Sequence, residues 1–170
     1  MPIIYYFCNW LMPIIKFYFT LMKTDKLIDN YTPLFTIGTI ADQLGISVQT
    51  LRLYEREKLI IPFKKESKHR LYSQADLERL KFIRFAINKQ KVSIEGLKII
   101  LSLIPCWEIT SCSIEDRMKC KSFPSLQPCW SLSKENKPCQ NLECRNCDVY
   151  NDYNSCNNIK NSINEMSRCK

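Results

Sequence analysis

The chain has 170 residues, of which 45% are hydrophobic and 11% aromatic, enough apolar material for packed cores and too much for a wholly disordered protein. Its 25 Lys and Arg against 17 Asp and Glu leave a net charge of +8, and residues 35–104 alone hold 13 basic and 7 acidic side chains. A basic excess gathered in one segment points to a polyanionic partner such as nucleic acid. Cysteine is distributed differently: of ten, Cys8 stands near the start and nine fall after residue 105. The sequence therefore divides into an apolar leader with a polar linker (1–34), a cysteine-free basic domain (35–104), a cysteine-rich region (105–150) and an Asn/Ser/Lys-rich tail (151–170) expected to be flexible.

The leader, MPIIYYFCNWLMPIIKFYFTLM, has nearly the length and hydrophobicity of a transmembrane helix. Pro13 and Lys16 near its middle, where a break and a charge are both costly in lipid, argue against a membrane anchor. It lacks the basic start and small-residue cleavage site of a secretory signal. Met22 is followed at once by the polar KTDKLIDN, so the expected start of the native protein is Met22, with an anchor or a soluble segment as the alternatives.

In the basic domain, Thr36 is placed to cap a short helix with Ile37, Ile40 and Leu44 on one side, closed by Gly45. Ser47 caps a second, SVQTLRLYERE, which leaves Gln49, Thr50, Arg52 and Arg56 available for a groove. Ala41 is small enough to let the two helices cross closely, and together they predict a helix-turn-helix. The run LIIPFKKESKHRLYS reads as two short strands around a hairpin, a wing carrying Lys64, Lys65, Lys68, His69 and Arg70 toward phosphate. Ser73, with Asp76 three residues on, predicts a capping box opening a helix buried through Leu77, Leu80, Ile83 and Ile87. Arg79, Lys81 and Arg84 are expected on its solvated face. Ser93 opens one more helix, with Ile94, Leu97, Leu101 and Ile104 inward and Pro105 at its end.

The run FTIGTIADQLGISVQTLRLYEREKLIIP, followed by HRLYSQADLERLKFI, resembles the winged helix-turn-helix of the MerR family of bacterial transcription regulators. The strongest pieces are T-L-R-x-Y-E at 50–55 and R-x-Y-S at 70–73. The resemblance implies a mainly α fold with a small two-stranded wing and a recognition helix in the major groove. It places Ser47, Gln49, Thr50, Arg52 and Tyr54 on that helix and Lys64, Lys65, His69, Arg70 and Tyr72 in the wing. It also implies a non-enzymatic, cytoplasmic regulator that binds double-stranded DNA, distorts promoter DNA for RNA polymerase, and acts as a homodimer. Leu53 stands where the family has an aromatic, and Lys68 precedes His69 where the wing has a glycine. The family's long dimerisation helix is not evident: prolines 124, 128 and 138 break the sequence after residue 105, so a dimer would use another route.

The C-terminal region predicts a small irregular module. PCW recurs at 105–107 and 128–130, resembling a Cys-Trp cysteine-rich module appended to bacterial sensory and regulatory proteins. A cytosolic DNA-binding protein keeps its thiols reduced, which favours metal ligation over disulfides. The region lacks histidine, so a site would be all-sulfur, suiting zinc, copper(I) or an iron–sulfur cluster. Cys129, Cys139, Cys144 and Cys147 are the best-spaced set, with Cys106, Cys112 and Cys120 a second, while Cys156 and Cys169 are spare. His69, the single histidine, is read as an exposed wing residue. The expected function is a DNA-binding regulator responding to metal or redox state through these cysteines. The alternatives are an architectural DNA-binding factor with structural zinc, and a thiol- or metal-handling protein that docks through the winged helix.

Overall fold

The computed structural model describes residues 29–64, 69–132, 139, 141, 143–151, 159–161 and 164. The leader and Lys65, Lys68, Cys156 and Cys169 lie outside these residues. Among the described residues no helix is long and apolar enough to cross a membrane.

Strand β1 (Phe35–Thr36) leads directly into helix α1 (Ile37–Leu44). Thr36 Oγ1 accepts the Thr39 amide at 3.2 Å, and Gly45 ends the helix at φ 60°, a left-handed conformation that costs glycine little. Helix α2 (Val48–Arg56) starts from Ser47, whose Oγ accepts the Thr50 amide at 3.0 Å. Ala41 on α1 is 1% exposed. Strands β2 (Phe63–Lys64) and β3 (Arg70–Tyr72) form the wing hairpin.

The wing differs from its sequence reading in two respects. The apolar residues before Pro62 are not its first strand: Leu59 and Ile60 are buried in the core, and pairing starts at Phe63. The sheet also has a third strand, because β1 pairs antiparallel with β3, in the order β1-β3-β2. Two residues ahead of a helix carry no period-2 signal, so only pairing with β3 reveals β1 as a strand.

Helix α3 (Gln74–Arg84) opens with the expected capping box, Ser73 and Asp76 bonding each other's backbone amides, and runs on into a π-helical turn at Phe85–Lys89. Helix α4 (Ile94–Ser102) is capped by Ser93. Lys98 holds α4 against the end of α2, with Nζ 2.6 Å from Glu57 Oε2 and 3.0 Å from Glu95 Oε1. Short pieces follow: α5 (Cys106–Ile109), α6 (Ile114–Lys119), 3-10 turns at Cys129–Ser131 and Cys144–Asn146, and α7 (Asp148–Asn151).

The core is continuous across the two cysteine usages. Ile40, Leu51, Leu80, Ile83 and Leu97 share one buried cluster with Trp130, Val149, Tyr150 and Ile159. Described residues of the cysteine-rich region thus pack into the core of the basic domain. Ile159, in the segment read as a tail, is 5% exposed.

A candidate nucleic-acid interface

Helix α2 presents Gln49, Arg52 and Arg56 to solvent, as its periodicity predicts, because Leu51 and Tyr54 occupy the opposite, buried side. Ser47 is exposed, and its hydroxyl is shared between the Thr50 amide and Thr50 Oγ1, 2.9 Å away. Arg52, Arg56, Lys58, Lys64 and Arg70 converge on a 310 Å³ cleft between α2 and the wing. Glu55 is the one acidic side chain lining it among the described residues. Such a groove, walled by cations on a helix and a hairpin, focuses positive potential on a strip one backbone wide. His69 is exposed beside it at the start of β3.

Two residues of the expected contact set are buried: Tyr54 is 4% exposed and Tyr72 fully buried. Burial raises the Tyr54 hydroxyl pKa, with Arg84 opposing it. Burial also raises that of Tyr72, and the hydrogen bond and charge of Glu55 push it further the same way. Tyr72 therefore stays a donor, giving its O–H to Glu55 Oε1. Arg70 Nε donates to Glu55 Oε2 at 2.8 Å. One carboxylate on α2 thereby ties down both Arg70 and Tyr72 of β3.

Lys58 was missed by sequence reading. It follows α2 at φ 59°, a left-handed conformation uncommon outside glycine, and its carbonyl accepts Trp130 Nε1 at 2.8 Å. The available signal was a lysine just past a capped helix that carries Arg52 and Arg56 on its open face.

The solvated-face reading of α3 fails at Arg79, which is 3% exposed. Its guanidinium lies 3.9 Å from the Tyr150 ring centroid and 5.5 Å from that of Trp130. The two rings, themselves edge to face at 5.3 Å between centroids, offer π-faces to a charge whose desolvation lowers its pKa. Arg84 is half-buried and donates to the Leu44 carbonyl. Lys81 is the member that behaves as expected, exposed and 2.8 Å from Glu78.

The seven candidate cysteines are all half-buried. Among the described residues, no three Cys, His, Asp or Glu side chains are grouped closely enough to hold a metal ion. The donor set, all thiols, has the right chemistry for soft metals. Electrostatics regroups them. Cys106 is pushed up to about 11, by burial first and then by the charges of Cys120, Cys112 and Cys139. Cys139 thus interacts with the first trio. Cys147 is raised by burial, with Cys144 adding to the shift.

A shift of this sign keeps Cys106 protonated in the fold. Its contribution to stability is complete below the unfolded value of 9.0 and is lost as pH rises toward about 11. Only the thiolate reacts, so in the presence of chelator at pH 8 iodoacetamide should alkylate Cys106 about 100-fold more slowly in the folded chain than in urea. Equal rates, read by mass spectrometry, would show that this thiol is not shielded.

A cationic, exposed helix set against a strand-bonded wing defines a winged helix-turn-helix domain, a class built to seat a helix on duplex DNA. Residues 35–104 match the family described as MerR HTH family regulatory protein. Similar proteins include the mercuric resistance operon regulatory protein of Bacillus cereus, 45% identical over 51 residues, 29% of this chain and 39% of that protein. The HTH-type transcriptional regulator ZntR of Escherichia coli K12 is 34% identical over 71 residues, 41% of this chain and 50% of its own. GlnR of Bacillus anthracis, another HTH-type transcriptional regulator, is 31% identical over 80 residues, 47% of this chain and 59% of its own. The chain spans about half the length of the curated relatives it matches.

Proposed function

We propose that this protein is a cytoplasmic, sequence-specific transcription regulator of MerR type that binds double-stranded DNA as a homodimer and responds to metal or redox conditions through its C-terminal cysteines. The observation that carries the DNA-binding reading is the cleft between α2 and the wing, where five cations face one carboxylate. In this reading Gln49 and Arg52 present donors to base edges in the major groove, while Lys64, His69 and Arg70 neutralise flanking phosphates. In sequence, Lys65 and Lys68 continue the same basic run. Two copies related by a two-fold axis read half-sites about 34 Å apart or a multiple of that spacing, and bend the promoter for RNA polymerase.

The cysteine region supports the sensing part by its donor chemistry and by its packing against the DNA-reading domain. Zinc or an iron–sulfur cluster would be held through sulfur alone, supplying structural rigidity in the first case and electron transfer in the second.

Fluorescence anisotropy on labelled duplexes tests the reading. Affinity should fall linearly on a log–log plot against salt, with a slope of about −0.9 for each phosphate neutralised. Arg52→Ala and Arg70→Ala should each weaken binding by about 1–3 kcal/mol, and Arg70→Ala should also reduce the slope by about 1. A chain that ignores duplex DNA in dilute buffer, or variants that bind as wild type, would refute it.

A further inference from the structure

The region carrying the thiols grips the connector between the recognition helix and the wing at three places. Trp130 Nε1 donates to the Lys58 carbonyl at 2.8 Å. The Ile61 amide donates to the Tyr150 hydroxyl at 2.8 Å, and Arg145 Nη1 donates to the Ile61 carbonyl. The same guanidinium forks onto Asp76, with Nη2 2.6 Å from Oδ2 and Nη1 3.3 Å from Oδ1. Both partners are nearly dry, with side chains 12% and 5% exposed. Arg145 stands in the turn Cys144–Asn146, with Cys144 before it and Cys147 two residues after.

Lys58 and Lys64 also wall a second cleft, of 520 Å³, that reaches Trp130, Cys144 and Arg145. The 58–64 strip is thus shared. One side faces the cationic cleft and the other faces the thiol-bearing turn. Arg145 does not line the cationic cleft, so it is not placed to touch a duplex seated there.

We propose that Arg145 is a positioning residue for DNA reading, fixing the 58–61 connector so that a change at Cys144 or Cys147 is carried to the wing. The proposal rests on the DNA-binding reading above and deepens it, naming the route by which the cysteines govern the interface. Physically the route is short. Arg145 cannot shift without breaking its fork on a buried carboxylate and releasing the Ile61 carbonyl, so the turn and the connector move together or not at all. A group added to either flanking sulfur crowds a half-buried position and displaces the turn.

The test uses the full chain, at temperatures well below its unfolding transition. Arg145→Gln should weaken duplex binding about tenfold. Its amide exchange at Ile61 should quicken by a similar factor, and Tyr150→Phe, which removes the hydroxyl acceptor but keeps the ring, should reproduce the exchange effect. Treating wild type with N-ethylmaleimide until mass spectrometry shows Cys144 and Cys147 modified should cost about fivefold in affinity. The same treatment should leave Arg145→Gln at its already weakened value. A folded Arg145→Gln protein that binds as wild type would overturn the proposal, as would equal losses on alkylation in both proteins. Should wild type fail to bind any duplex, the DNA-binding reading falls by itself, and exchange decides this one. Quickened exchange at Ile61 in Arg145→Gln upholds the clamp, and unchanged exchange removes it.

Discussion

Asp76→Ala should lower the unfolding free energy by about 3–5 kcal/mol. Asp76 is 4% exposed and its carboxylate serves two structures at once. Toward its own helix, Oδ2 accepts the Ser73 amide at 2.8 Å and the Ser73 hydroxyl at 3.0 Å. Toward the cysteine region, both oxygens accept from Arg145. Alanine removes a cap contact, typically about 1 kcal/mol, and leaves a nearly buried guanidinium without its counter-charge, the larger cost. Asp76→Asn, which keeps an acceptor and loses the charge, should fall between alanine and wild type. Urea unfolding measures both. The cycle completed with Arg145→Met should show a coupling of about 1–3 kcal/mol, because the double variant no longer strands a charge. A loss below about 1 kcal/mol for Asp76→Ala would mean that water reaches the pair in solution.

Glu55 should separate stability from affinity. Its side chain is 11% exposed and ties Tyr72 and Arg70 to the recognition helix. Glu55→Ala strands the buried Tyr72 hydroxyl and should cost about 1–3 kcal/mol of stability. Glu55→Gln keeps an acceptor of the same shape, so its stability cost should be under about 1 kcal/mol, consistent with an Arg70 that is 40% exposed. On DNA the sign reverses. Removing the carboxylate takes one negative charge out of the cationic cleft, so Glu55→Gln should bind duplex more tightly at low salt, with the gain shrinking as salt is raised. Affinity no higher than wild type in dilute buffer would show that Glu55 does not face the duplex.

Much of the DNA-binding domain was legible in the chain. Thr36, Ser47, Ser73 and Ser93 each cap the helix they were read to cap, since capping depends on a side chain and an amide three residues away. The inward stripes of Leu51, Leu80, Ile83 and Leu97 were equally plain, because helical period and burial are a local pattern. The candidate interface was legible where it stands on an open helix face, at Gln49, Arg52 and Arg56. Burial at Tyr54 and Tyr72 was not legible, because an amphipathic ring can face water or core with the same neighbours in sequence. Arg79 illustrates the same limit, since only Trp130 and Tyr150, far along the chain, make a buried site for its charge.

By itself, then, the order of residues determined the helices, their caps, the cationic face of the second helix and the presence of a wing, all products of contacts within a few positions. Only tertiary packing decided that Phe35–Thr36 is a strand, that Tyr54 and Tyr72 are buried, and that the thiol-bearing region closes on Lys58 and Ile61. Those outcomes join groups as many as 89 positions apart, as the Ile61 and Tyr150 bond does. A bond of that span forms only after the intervening chain has been folded back, and no local periodicity records it.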